Sequence, residues 1–254
     1  MKPKLAVFKF ASCDGCQLQV LNAGTELLAL ADAVDIAWFP EARSAGRPGP
    51  YDVGLVEGSV TTPDDVARLQ RIRADVRYLI AIGACATAGG IQALRNRADV
   101  DEFKRAVYPR PEWLATLPTS TPVTEHVPVD LALPGCPVDR QQLFAVVRAL
   151  LAGTRPLLPG HSVCLDCKRA GAACVVVTQA EPCLGPVTST GCGAVCPRMG
   201  RGCYGCFGPA ATANLPALAE MFATLGISRE DTARRLRGFA GNAAPFREAS
   251  DALA

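Results

Sequence analysis

The chain has 254 residues, of which 49% are hydrophobic, with twelve cysteines and a formal net charge of +2. Its scattered arginines form no basic stripe or run of like charge, which leaves nothing for nucleic acid or an anionic membrane to recognise. No apolar stretch approaches the roughly 18 residues needed to cross a bilayer, and the N-terminus MKPKLAVFKFASC has neither a small-residue cleavage site nor a twin arginine, so a cytoplasmic location is expected.

In chain order, residues 4–10 (KLAVFKF) are a short apolar run suited to a buried strand, ending at Ser12-Cys13-Asp14-Gly15-Cys16. Cys16 is expected to open a helix with Leu18, Leu21 and Leu28 on one face, fading near Ala31. Residues 34–39 and 51–57 form a second and a third strand, separated by the loop 40–50. Thr62-Pro63-Asp64-Asp65 marks a helix start, with a hydroxyl cap, proline at the first helical position and acids in the first turn. Val66, Leu69, Ile72 and Val76 supply its inward stripe. Residues 78–82 are a fourth strand that runs into Gly83-Ala84-Cys85. Residues 108–125 hold four prolines and are expected as a surface excursion. Residues 127–133 make a fifth strand, near an edge because Pro128 cannot donate to a ladder. It leads into Pro134-Gly135-Cys136-Pro137, and Asp139 starts a helix that closes at Gly153 with Leu143, Val147 and Leu150 inward.

Strands alternating with helices predict an α/β fold, a flavodoxin-like doubly wound parallel sheet over residues 1–153. Cys13 and Cys16, Cys85, and Cys136 each follow a predicted strand. All four therefore lie at the carboxyl end of the sheet, where open α/β sheets bind ligands. One such cysteine is usually a small hydrophobe; four at three strand ends point to a shared ligand.

Residues 154–254 are a second domain, irregular and cysteine-rich. Eight cysteines fall between Cys164 and Cys206 at gaps of 2, 6, 8, 8, 3, 6 and 2, among Gly and Pro and without helical or strand period. Disulfides, zinc and iron-sulfur clusters are the available staples. Disulfides need an oxidising compartment, and zinc sites usually show two close pairs a dozen or more residues apart. Dense thiolates followed by proline, as at Cys196-Pro197 and Cys136-Pro137, are more typical of iron-sulfur binding. Beyond the block, a helix over 210–225 and a last helix from the Ser228 capping box through Leu236 are expected, with a loose tail after Gly241.

These residues resemble a family. CxxC after the first strand, VEGSV at 56–60, GACA at 83–86, LPGCP at 133–137, CLGPVT at 183–188 and the closing CYGC are similar to the small, electron-transfer subunit of nickel-iron hydrogenases, over roughly residues 4–209. The absence of an export signal looks like the cytosolic NAD(P)-coupled group, which includes the sulfhydrogenase delta subunit. The first domain also resembles the 20-kDa-type subunit of complex I, which usually has adjacent cysteines in its first motif and lacks the second block.

The resemblance implies three 4Fe-4S clusters. Cys13, Cys16, Cys85 and Cys136 fall at the family's proximal site, nearest the nickel, and Cys192, Cys203 and Cys206 at the medial one. Respiratory members often have proline as the fourth medial residue and a three-iron cluster; Cys196 implies a four-iron cluster here. The distal site of the family uses one His and three Cys. His161-x-x-Cys164 reproduces that spacing, while Cys164, Cys167, Cys174 and Cys183 make a full set without the imidazole. The implied partners are a nickel-iron large subunit and a flavin/iron-sulfur diaphorase.

No catalytic group stands out. The histidines are His126 and His161 alone, and GxSxG, HExxH and a paired-carboxylate signature are missing. Glu57, at the end of the third strand, is either a group facing the cysteine crevice that tunes it or passes protons, or an exposed acid capping a turn. The expected function is thus an electron relay in an oxidoreductase complex, with a complex I-like electron-transfer subunit or a zinc-stabilised interaction module as the alternatives. The final acceptor, NAD, NADP, a deazaflavin or another, is not written in the sequence.

Overall fold

A computed structural model describes residues 2–254. Contacts divide the chain between Pro156 and Leu157 into two compact units. In the first, Val-, Ile- and Leu-rich runs form five parallel strands: β1 (Lys4–Lys9), β2 (Asp35–Trp38), β3 (Tyr51–Glu57), β4 (Val76–Ile82) and β5 (Leu131–Leu133), in the order β2-β1-β3-β4-β5. The register aligns Val7, Leu55 and Ile80 in one row across three strands, and all three are buried. Each such side chain contributes about 1.5–3 kcal/mol on leaving water.

Helices α1 (Gly15–Leu21), α2 (Thr25–Ala33), α3 (Pro63–Asp75), α4 (Gly83–Ala88) and α5 (Val100–Val107) lie between strands, and α6 (Arg140–Leu151) follows β5. The expected start of α3 is present as a reciprocal box. The Thr62 hydroxyl accepts the Asp65 N–H at 3.1 Å, and the Asp65 carboxylate accepts the Thr62 N–H at 3.0 Å. Such caps contribute about 1 kcal/mol.

Several expectations need correction. The helix opened by Cys16 is two helices, broken at Gly24 in a left-handed conformation (φ +57°). Its inward face carries Cys16 and Val20, four residues apart, with Gln17; Leu18 and Leu28 lie outside at 47% and 67% exposure. Once Cys16 turns inward, helical spacing fixes the rest of the face. Val76 opens β4 rather than ending α3. The fifth strand is three residues long because Asp130 takes the place of a ladder residue, its carboxylate accepting the Leu79 N–H at 2.7 Å. Residues 108–125 are not wholly superficial: Thr121 pairs with Val60, and Ser120 and Val123 are buried.

The second unit is built from α7 (Val163–Arg169), α8 (Val175–Gln179), α9 (Val195–Arg198), α10 (Leu215–Thr224), α11 (Arg229–Leu236) and α12 (Ala244–Leu253). The first three are two turns long at most, so regular backbone contributes little to the cysteine block. The helix expected from 210 begins at Leu215, capped by the Asn214 side-chain carbonyl, which accepts the Ala217 N–H at 3.0 Å. Ser228 caps α11 through its hydroxyl, which accepts the Asp231 N–H at 3.0 Å and donates to the Asp231 carboxylate at 2.8 Å. The tail is not loose. It is α12, with Phe246 and Ser250 buried. Among the described residues no helix is long and apolar enough to cross a membrane.

Candidate metal centre

The carboxyl ends of four adjacent strands converge on one place. β1 leads to Cys13 and Cys16, β4 to Cys85 and β5 to Cys136, while β3, lying between β1 and β4, ends in Glu57. The four thiols are within electrostatic reach of one another: Cys16 of Cys85 and Cys136, and Cys13 of Cys85 and Cys136.

Glu57 is buried at 1% exposure, which removes the reading of an exposed strand-end acid. Its two carboxylate oxygens accept the backbone N–H groups of Cys16 at 3.0 Å and Gln17 at 3.2 Å. Both donors belong to the first turn of α1, whose N–H groups have no partner within the helix. Burial raises the Glu57 pKa above its ordinary value, and the two N–H bonds pull it back. The Gln17 side chain is also buried, with neither polar atom in a hydrogen bond, yet it lies close enough to favour the Glu57 charge.

Small residues are required around the sulfurs. A side-chain carbon on Gly83 would stand 2.3 Å from the Cys16 Sγ, and one on Gly90 2.6 Å from the Cys85 Sγ. Both glycines have positive φ. Gln92 ties two of the loops together, donating from Nε2 to the Ala11 carbonyl at 2.6 Å while its Oε1 lies 3.5 Å from the Cys85 Sγ. The Val138 N–H points at the Cys16 Sγ at 3.4 Å. Gln17 and Gln92 are polar residues that sequence reasoning missed; neither belongs to a motif, and only the fold brings Gln17 to Glu57 and Gln92 to the Cys85 sulfur.

In the second unit, Cys164, Cys167, Cys174 and Cys183 are within mutual electrostatic reach. Cys192 pairs with Cys196, and Cys203 with Cys206; Cys183 lies within reach of both Cys196 and Cys203. Backbone N–H groups again face sulfur. Cys183 Sγ receives Cys203 N–H at 3.2 Å and Gly185 N–H at 3.4 Å, and Cys203 Sγ receives Gly205 N–H at 3.5 Å. Gly185 packs between sulfurs, its missing side chain 3.2 Å from Cys183 Sγ and 3.5 Å from Cys164 Sγ. His161 Nε2 is bound to the Asp166 carboxylate at 3.0 Å, and the same carboxylate accepts the Thr190 hydroxyl.

None of the twelve cysteines is in a disulfide. Burial holds several as thiols, raising Cys85 and Cys164 to about 11 and Cys203 to about 12, and Cys16 further. Neighbouring groups add to this, Glu57 for Cys16 and Cys183 for Cys164. A metal must therefore displace protons to bind, and its own charge must outweigh the burial. Among the described residues no group of three or more His, Cys, Asp or Glu converges to hold a metal ion. Glycines cleared from the path of the sulfurs and N–H groups aimed at them fit an iron-sulfur cluster.

The family described as NADH ubiquinone oxidoreductase, 20 Kd subunit, matches residues 13–150. The sulfhydrogenase 2 subunit delta of Pyrococcus furiosus is 40% identical over 237 residues, 93% of this chain and 99% of that protein. One chain of the F420-non-reducing hydrogenase vhu of Methanococcus voltae is 30% identical over 236 residues, 82% of each. Among solved structures, an NAD+-reducing [NiFe]-hydrogenase in the H2-reduced state superposes with a TM-score of 0.58 and 32% identity, covering 63% of this chain and 96% of that one.

Proposed function

We propose that the chain, which belongs to the NADH ubiquinone oxidoreductase 20 Kd subunit family, is the electron-relay small subunit of a nickel-iron hydrogenase. The observation that carries the reading is the extent of the likeness. The family match stops at residue 150, whereas the similarity to a sulfhydrogenase delta subunit runs through 93% of the chain and so takes in the second cysteine block. A complex I-like role leaves that block without purpose, and a zinc-stabilised interaction module leaves the likeness to hydrogenase subunits without explanation.

Three 4Fe-4S clusters are assigned, to Cys13, Cys16, Cys85 and Cys136; to Cys192, Cys196, Cys203 and Cys206; and to Cys164, Cys167, Cys174 and Cys183. Such clusters supply one-electron transfer. The chain's own residues orient and tune. Glu57 fixes the loop that carries Cys16, and the N–H groups of Val138, Gly185, Cys203 and Gly205 bring partial positive charge to sulfur, which favours the reduced state. With His161 held by Asp166, the all-cysteine set is preferred for the third cluster.

Hydrogen activation is assigned to a partner, the nickel-iron large subunit. Large apolar side chains exposed after Cys85 in the chain, Ile91, Leu94, Phe103, Val107 and Trp113, support such a partner, and α5 buries no side chain. The acceptor side is assigned to a flavin/iron-sulfur subunit linked to NAD(P), by analogy with the NAD+-reducing hydrogenase structure. Twelve free thiols support reducing surroundings, the cytoplasm. Isolating the complex through a tag on this chain tests the reading: a nickel-bearing subunit and about twelve irons per chain are expected, at four per cubane, and zinc in place of iron, or no nickel partner, contradicts it.

A further inference from the structure

The amino ends of β1 and β2 frame a cavity of about 470 Å³ at the edge of the sheet. Lys2, Lys4, Arg43 and Arg47 line it, and Asp35 is the one acid among its described lining residues. Asp52, which accepts the Lys4 backbone N–H at 2.8 Å, lines the neighbouring depression and not this one. β1 runs six residues from Lys4 to Lys9, so this end of the sheet lies about 20 Å from the end that leads to Cys13 and Cys16.

Four like charges in one cavity repel, and each is held by a bond of its own. Lys2 Nζ donates to the Ala31 carbonyl at 3.2 Å, Lys4 Nζ to the Pro48 carbonyl at 3.2 Å and an Arg43 guanidinium nitrogen to the Ile36 carbonyl at 2.9 Å, while Arg47 pairs with Asp35. Only Arg47 has a carboxylate partner among the described residues. The loop that carries the two arginines is itself fixed: the Arg47 N–H donates to the Ala37 carbonyl at 2.8 Å, and the Arg47 carbonyl accepts the Tyr51 hydroxyl at 2.9 Å. Capping of α2 accounts for Lys2, since Ala31 is among the last four carbonyls of that helix. It does not account for the convergence of the other three. Every one of the four keeps donors to spare, because an ammonium has three and a guanidinium five.

We propose that this cavity binds a diphosphate-bearing small molecule of nucleotide size. Guanidinium groups match phosphate oxygens two at a time and ammonium groups supply compact charge. Its volume falls in the range of small-molecule sites, with more room than a phosphate group needs, and Ala31, Val34 and Ile36 give it an apolar wall. The loop is preorganised, so little ordering opposes binding. The inference owes nothing to the cysteines.

The test uses the complex of this chain with its nickel-iron subunit. Lysines are acetylated with acetic anhydride at constant ionic strength and read by mass spectrometry, with ADP, pyrophosphate, adenosine or sulfate present. ADP should protect Lys2 and Lys4 and leave Lys9, Lys104 and Lys168, the chain's other lysines, as reactive as before; pyrophosphate should protect at higher concentration, and adenosine and sulfate should not. Arg43→Gln/Arg47→Gln should raise the ADP concentration needed by about tenfold or more, as expected for lost charge-assisted bonds. Asp35→Asn, which removes the one carboxylate and frees Arg47, should lower it. Iron content and hydrogen-dependent dye reduction should be unchanged in both. If the arginine variant fails to fold, Asp35→Asn decides, since damage to the fold does not tighten binding. No protection by ADP, equal protection of all five lysines, protection by sulfate, undiminished affinity in the arginine variant or weaker affinity in Asp35→Asn overturns the site. Pyrophosphate acting at the same concentration as ADP keeps the diphosphate and overturns the nucleotide.

Discussion

Glu57 holds Cys16 by its backbone and not by its sulfur: the buried carboxylate accepts the Cys16 N–H at 3.0 Å and the Gln17 N–H at 3.2 Å. The third strand thereby fixes the loop that follows the first, and the Cys16 sulfur stays free for iron. Replacing Glu57 with Gln keeps the shape but leaves one buried N–H without an acceptor. The expected cost is about 1–3 kcal/mol of stability, read by denaturant unfolding of the purified complex. An unchanged midpoint contradicts this role.

Gly83 is where backbone and sulfur approach most closely. Its φ is +83°, and any side-chain carbon would lie 2.3 Å from the Cys16 Sγ. Gly83→Ala should lose the first cluster and leave the other two, lowering iron from about twelve to about eight per chain at four per cubane. Full iron content in that variant contradicts the placement of Cys16 in the tetrad.

Much of this was legible beforehand, and the exceptions share a cause. β3 has the expected bounds, Tyr51–Glu57, because an unbroken apolar run inside a parallel sheet leaves little choice. The cysteines at the ends of β1, β4 and β5 follow from the same rule. The exposure of Leu18 did not follow, since it is set by the tertiary demand on Cys16 and not by the hydrophobicity of leucine. Nor did α12, whose one large buried side chain, Phe246, gives too short a period to read. Glu57 was ambiguous for want of its partners, two N–H groups 41 and 40 residues away in sequence.

Cys196 is the fourth ligand proposed for the second cluster. Cys196→Pro should convert the second cluster to a three-iron centre and raise its potential, measured by electron paramagnetic resonance of the oxidised complex. A stoichiometric three-iron signal in the wild type contradicts a four-cysteine set.

Metal removal should divide the chain unevenly. The first unit has a five-stranded apolar core of its own, whereas α7, α8 and α9 are at most seven residues long, so the cysteine block depends on metal for its folding. After chelation under reducing conditions, limited proteolysis should cut between Cys164 and Cys206 first and spare residues 4–82. Cleavage in the sheet at the same rate contradicts this order.

The relay itself is tested most directly by exposing the complex of this chain and its nickel-iron subunit to hydrogen and following the visible absorption of the iron-sulfur clusters. The wild type should bleach under hydrogen and recover on oxidation, and Cys136→Ser, with nickel retained in the partner, should not pass electrons beyond the first site. A wild-type complex whose absorption does not respond to hydrogen, or a Cys136→Ser variant that responds as the wild type does, contradicts the assignment.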